Sequence, residues 1–141
     1  MKNVFIAASI LAFWPLLAQS NEDLLFVTAS QDTTLEQYEW THRPLIIFAN
    51  SENDVNFNRQ ISMLERNSDA LRERDIIVIT DTSPQTPSEL RTTLRPRGFS
   101  LVLVGKDGQV KLRKPFPWNV RELSRVIDKM PMRRQEMSER E

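Results

Sequence analysis

Cysteine is absent from the 141 residues, histidine occurs once and glycine three times. Without a thiol there is no disulfide exchange, no thiolate nucleophile and no disulfide staple, so the folded part must hold together by packing alone. Three scattered glycines build no phosphate-cradling loop. Acidic and basic side chains are equal in number, and a chain without a global basic excess is not marked for nucleic acid. A single histidine leaves no His-rich metal motif to consider.

What is present begins with one long apolar run. Met1-Lys2-Asn3 is a short positive end, residues 4–17 are apolar apart from Ser9 and Pro15, and Ala18-Gln19-Ser20 follows. That order is the order of a secretory signal peptide, with cleavage after Ser20. A membrane anchor is the competing reading, but it needs about 20 apolar residues, and Pro15 with Gln19 shortens this run. No cysteine follows, so lipid attachment of the bacterial lipoprotein kind is excluded. The expected layout is a signal peptide over 1–20, one domain over 21–131 and a charged tail over 132–141. The expected place is the periplasm of a Gram-negative bacterium, with no stable membrane span after cleavage. Removal of Lys2 turns the charge balance slightly acidic.

The domain is organised around Pro44-Leu45-Ile46-Ile47-Phe48-Ala49, an apolar run ended by the turn formers Asn50-Ser51-Glu52-Asn53-Asp54. Such a run reads as a strand buried on both faces. Phe57, Ile61, Leu64, Ser68 and Leu71 then mark one face of a helix, capped by Asn53 or Asp54. Ile76-Ile77-Val78-Ile79-Thr80 is a second buried strand, parallel to the first through a right-handed crossover. Thr86-Pro87-Ser88-Glu89 opens a short helix by a capping box between Thr86 and Glu89 with proline first. Residues 99–104 and 109–113 form a hairpin across Asp107-Gly108, which tolerates positive φ. Asn119 caps a last helix with Leu123, Val126, Ile127 and Met130 inward, and Pro131 ends or kinks it. Ahead of all this, residues 24–27 suit a short edge strand, and Leu35 and Tyr38 suit a helical turn in a segment whose charges are all acidic.

This order of βαβ, short helix, β-hairpin and helix predicts an α/β, thioredoxin-like fold with a four-stranded mixed sheet. Further residues sharpen the likeness: Arg43-Pro44-Leu45 with Phe48-Ala49, Arg74-Asp75, Gly98-Phe99, Gly105-Lys106-Asp107-Gly108, Lys111-Leu112-Arg113, Ile127-Asp128, and Met130-Pro131-Met132-Arg133-Arg134. Together they resemble an exported bacterial family known as a domain of unknown function, DUF4174. The resemblance implies fold and export, without an activity. Thioredoxins carry a cysteine pair at the start of the first crossover helix, where the helix dipole lowers the thiol pKa. The matching residues here are Asn50-Ser51-Glu52-Asn53, and Gly98-Phe99 stands where thioredoxins keep a proline that helps hold extended peptide.

Candidate sites follow from residue chemistry. His42 and Ser51 invite a hydrolase reading, but six strand residues separate them by roughly 20 Å, beyond the reach of a nucleophile and its base. Glu52, Asp54 and Asp81 offer oxygen ligands to a hard cation such as calcium; capping explains Asp54 without one. From Arg91 to Lys114 bases dominate, with Arg91, Arg95, Arg97, Lys106, Lys111, Arg113 and Lys114 against Asp107 alone. Arg97, Lys106, Lys111, Arg113 and Lys114 form the candidate binding surface for an anionic envelope component or another protein. Edge-strand protection explains the same charges without a ligand, and the acidic segment over 22–39 is placed to neutralise them. Phe116, Trp118 and Met132 are core residues or an apolar patch. No residue pattern calls for a cofactor. The functional expectation is a non-catalytic binding or accessory module. The alternative is an enzyme with a non-thiol site at the loops after the first two core strands.

Overall fold

The computed structural model describes residues 24–141; the signal peptide expected over 1–20 and residues 21–23 lie outside them. Five strands form one sheet in the order β1-β3-β2-β4-β5. They are β1 (Phe26–Thr28), β2 (Arg43–Phe48), β3 (Ile76–Asp81), β4 (Ser100–Val104) and β5 (Val110–Lys114). The expected four-stranded core is there, and the short segment at 26–28 adds a fifth strand, parallel to β3. β2 and β3 are parallel, β4 runs antiparallel to β2, and β5 closes the hairpin antiparallel to β4. Every residue of β2 is buried, as an apolar run with no polar alternation requires.

Helices cover both faces. Leu45, Ile47, Val78, Leu101 and Leu103 pack against Leu64, Leu71, Val120, Leu123 and Ile127. These five come from α1 (Val55–Glu65), α2 (Ser68–Glu73) and α4 (Val120–Asp128). On the other face Ile46, Phe48, Ile79, Val102 and Val104 meet Leu90 and Leu94 of α3 (Glu89–Leu94), with Leu35 and Tyr38 beside them. Full burial of such side chains contributes about 1.5–3 kcal/mol each, which is why no disulfide is needed.

Three local expectations change. The single helix expected to carry Phe57 to Leu71 breaks at Asn67, which stands at the N-cap position of the second piece without a capping hydrogen bond, its side-chain amide donating to the Met63 carbonyl at 2.8 Å. Asn and Ser compete for backbone partners and so favour such breaks. The break is short enough that Leu64 and Leu71 still reach one cluster. The capping box at Thr86 does not form: Ser88 caps α3, accepting from the Arg91 amide at 3.0 Å. Finally, the charged tail expected over 132–141 is helical for most of its length, and one of its arginines is buried. Pro131–Ser138 is a further helix, α5, with Arg133 1% exposed.

Candidate functional site

The carboxyl ends of β2 and β3 are where a fold of this kind offers a crevice. Here the polar groups at that end hold the backbone. Asp81 is 5% exposed, and its carboxylate accepts from the Ser88 hydroxyl, from Arg91 Nη2 at 2.9 Å and from the Ser83 amide at 3.2 Å. Arg91 also donates to the carbonyls of Ala49 and Asp81, both at 3.0 Å, and stacks over Phe48 at 5.3 Å. One guanidinium therefore ties α3 to the ends of both central strands. A cleft of about 270 Å³ opens beside Asp81, lined by Thr28, Ser30, Thr82, Ser83 and Thr86. Its one carboxylate accepts from Arg91, Ser88 and Ser83, and those bonds tie the end of β3 to α3.

The loop after β2 is occupied in the same way. The Ser51 hydroxyl accepts from the Asn53 amide at 3.1 Å, and Asp54 caps α1 by accepting from Phe57 at 2.9 Å. The Asn58 side chain donates to the Glu52 carbonyl at 3.1 Å. His42 precedes β2 and Ser51 follows it, which keeps them a strand's length apart. His42 is exposed and contacts Thr41 Oγ1 at 3.0 Å. Among the described residues no group of three or more His, Asp or Glu side chains is gathered as a metal would need.

The five cations of the candidate surface fall in different places. Lys106 has a side chain only 10% exposed, held by Asp75 and Glu136 at 2.8 Å each; it is interior structure and no part of an open face. Lys111 pairs with Asp107 at 2.8 Å. Lys114 lies 4.9 Å over the Trp118 ring. Arg97 and Arg113 line one groove of about 460 Å³, together with Arg95, Phe99 and Pro115. Asp32, Glu36 and Glu39 make no ion pair with that groove among the described residues; Glu39 turns its carboxylate toward Gly108 instead. Trp118 packs on the core, while Phe116 and Met132 are exposed.

At the opposite end of the sheet sits a network that the pattern of apolar residues did not announce. Arg43, 1% exposed, forks onto Glu136 at 3.0 and 3.2 Å and donates to the Arg74 carbonyl at 2.9 Å. Arg74 and Arg133 share Asp128, at 2.8 and 3.1 Å, and Arg133 also reaches Glu73 at 3.2 Å. Burial raises the Asp128 carboxyl, but the hydrogen bonds and charges of Arg74 and Arg133 outweigh it and hold its pKa below the usual value. Glu136 behaves alike: burial raises it, and Arg43 and Lys106 more than reverse the effect. Beside this network Met130, Pro131, Met132 and Gly105 line a cleft of about 310 Å³.

The family model for the domain of unknown function DUF4174 matches residues 34–136. The chain belongs to that family. Solved structures with the same arrangement of strands and helices establish a thioredoxin-like fold. Reduced desulfothioredoxin from Desulfovibrio vulgaris Hildenborough superposes with a TM-score of 0.55 at 15% identity, covering 74% of this chain and 97% of that one. A reduced 2-Cys peroxiredoxin from Plasmodium vivax gives 0.57 at 17% identity over 74% and 85% of the two chains. Thioredoxin from Malassezia sympodialis gives 0.53 at 14% over 72% and 86%. Coiled-coil domain-containing protein 80 of Danio rerio is 48% identical over 46 residues, which are 32% of this chain and 5% of that protein.

With the DUF4174 assignment in place, several residues that carried the resemblance gain a location. Arg43, Arg74, Asp75, Lys106, Asp128 and Arg133 are far apart in sequence and converge on the one network that docks α5. Gln60 was missed. It is fully buried and grips the Trp118 backbone in both directions, accepting at 2.7 Å and donating at 3.0 Å. A glutamine on the inward side of an amphipathic helix was its only trace in the sequence.

Proposed function

We propose that this DUF4174 chain is an exported, periplasmic, non-catalytic module that binds an anionic partner through the face carrying Arg97, Lys111 and Arg113. The observation that carries this reading is the state of the crevice at the carboxyl end of β2. Where thioredoxins hold their cysteines this chain has Asn50-Ser51-Glu52-Asn53, and the carboxylate behind them, Asp81, is taken up by Arg91, Ser88 and Ser83. The same scaffold thus keeps its shape while its crevice holds no thiol and its carboxylate is engaged in holding β3 to α3. Charge that is not consumed by the fold lies instead along β5 and the loop before β4, where Arg95, Arg97 and Arg113 face solvent. Export rests on the order of charge, apolar run and small residues at 1–20, which is that of a signal peptide.

The test is capture of components from a periplasmic extract on the immobilised protein, beside a variant carrying Lys111→Glu and Arg113→Glu. The reading expects a component retained by the wild type, lost in the variant and released by salt. Equal retention by both forms overturns it, as does turnover of insulin disulfides or peroxide by the purified chain.

A further inference from the structure

We propose that β5 and the arginine groove beside it form a docking edge for an extended, acidic peptide segment of a partner protein, which adds to the sheet as a sixth strand. This rests on the binding-module reading and names the class of partner. β5 is the last strand in the order, so among the described residues its outer backbone edge has no neighbour. Unpaired N–H and C=O groups along a strand are a template for another strand. Its burial alternates at the far end, with Lys111 and Arg113 exposed and Leu112 and Lys114 partly covered. The pairing with β4 shifts at Lys111, between Leu103 and Val104, and Asp107 holds that lysine; side chains of an added strand project with a period of two, so an acidic residue of the peptide would meet Arg113, beyond the shift.

The groove extends that match beyond the strand. Arg95, Arg97 and Arg113 line it over an apolar floor of Leu94, Phe99 and Pro115, and none of the three has an acidic partner among the described residues. Arg113 is held in place by the Leu94 carbonyl at 2.8 Å, leaving its other guanidinium donors for a carboxylate. Arg95 ends α3 in a left-handed conformation, φ +49°. The cleft beside Arg43 is the competing place, but its buried cations are already neutralised by Glu136 and Asp75.

Charge also selects the occupant. A second copy of the chain pairing antiparallel about Leu112 would set Lys111 against Arg113, and like charges directly opposite destabilise a strand pair. An anionic glycan or lipid headgroup satisfies the arginines yet offers nothing to the backbone edge. An acidic strand satisfies both.

The experiment titrates a short synthetic peptide of alternating glutamate and valine into the full chain, by fluorescence anisotropy and by amide hydrogen exchange. Three further probes run beside it: the same peptide with proline at alternate positions, a soluble uronate polymer, and vesicles containing phosphatidylglycerol. The acidic peptide is expected to bind, to lose about tenfold in affinity when Arg97 and Arg113 are both changed to Glu, and to protect amides of β5. The proline peptide is expected to bind about tenfold more weakly, since proline removes ladder donors. Arg95→Gly suits the left-handed position and keeps the fold, so its weaker peptide binding separates recognition from unfolding. Equal binding of the proline peptide, unchanged exchange in β5, or equal or tighter binding of the uronate polymer or the vesicles overturns the docking edge. If the peptide does not bind while the extract component is still lost in the Lys111→Glu, Arg113→Glu variant, the docking edge falls and the binding-module reading stands. If neither binds, both fall.

Discussion

Glu136→Gln is the sharpest probe of what holds this molecule together. The carboxylate accepts two hydrogen bonds from Arg43, at 3.0 and 3.2 Å, and an ion pair from Lys106 at 2.8 Å. Removing its charge treats those partners unequally. Lys106 keeps Asp75 at 2.8 Å, and Arg133, which lies 3.7 Å from Glu136, keeps Asp128 and Glu73. Arg43, 1% exposed, keeps only the Arg74 carbonyl and becomes a buried cation without a counter-charge. Breaking a buried pair from one side costs about 3–5 kcal/mol. Glutamine can still accept one hydrogen bond, so the lower end applies, about 3 kcal/mol, or roughly 12 °C in Tm for a domain of this size. Thermal unfolding followed by circular dichroism at neutral pH measures it. A double change, Arg43→Met with Glu136→Leu, removes both buried charges and should recover most of the loss. The sign with pH is also set. The folded pKa of Glu136 is depressed, so its contribution is present above its ordinary value of 4.5 and disappears as pH falls through the folded value. The gap in Tm between wild type and Glu136→Gln should therefore shrink on acidification below about pH 5. A Tm within a few degrees of wild type at neutral pH, or a double variant as unstable as the single, refutes the reasoning.

Other outcomes follow from the same geometry. Gln60→Leu strands the amide and carbonyl of Trp118 and should cost about 2–4 kcal/mol, read by chemical denaturation, with the largest hydrogen-exchange increase around residue 118. Arg91→Met leaves Asp81 buried without its cation and should cost about 3 kcal/mol; Arg91→Met with Asp81→Leu should recover part of it. Arg95→Gly relieves a left-handed backbone and should stabilise the chain by about 1 kcal/mol, seen as a rise in Tm. Asp128 is held below its usual range because Arg74 and Arg133 outweigh burial; Asp128→Asn should therefore destabilise at neutral pH and matter less in acid.

Much of this was written in local pattern. The continuous apolar runs at 44–49 and 76–80, short and rich in β-branched residues, read as strands covered on both faces, because an exposed face would have needed polar alternation. Asp107-Gly108 marked the hairpin, and Asn119 marked the last long helix, since both depend on neighbours a few residues away. Absence of cysteine excluded thiol chemistry outright. Local pattern pointed to a cap at Thr86, but the cap is Ser88, whose hydroxyl also reaches Asp81. Likewise the cations from Arg91 to Lys114 looked like one surface in one dimension. Folding sent Arg91 and Lys106 inward against Asp81, Asp75 and Glu136, and left Arg95, Arg97 and Arg113 together outside.

The amino-acid order alone therefore settled the parallel central strands, the hairpin and the lack of a reactive thiol, because periodicity, turn chemistry and composition act over short spans. Which charges are structural and which face a partner was decided only when strands β2, β3 and β4 met helices α3 and α5. A charged side chain's role depends on whether an opposite charge, distant along the chain, is brought within hydrogen-bond reach.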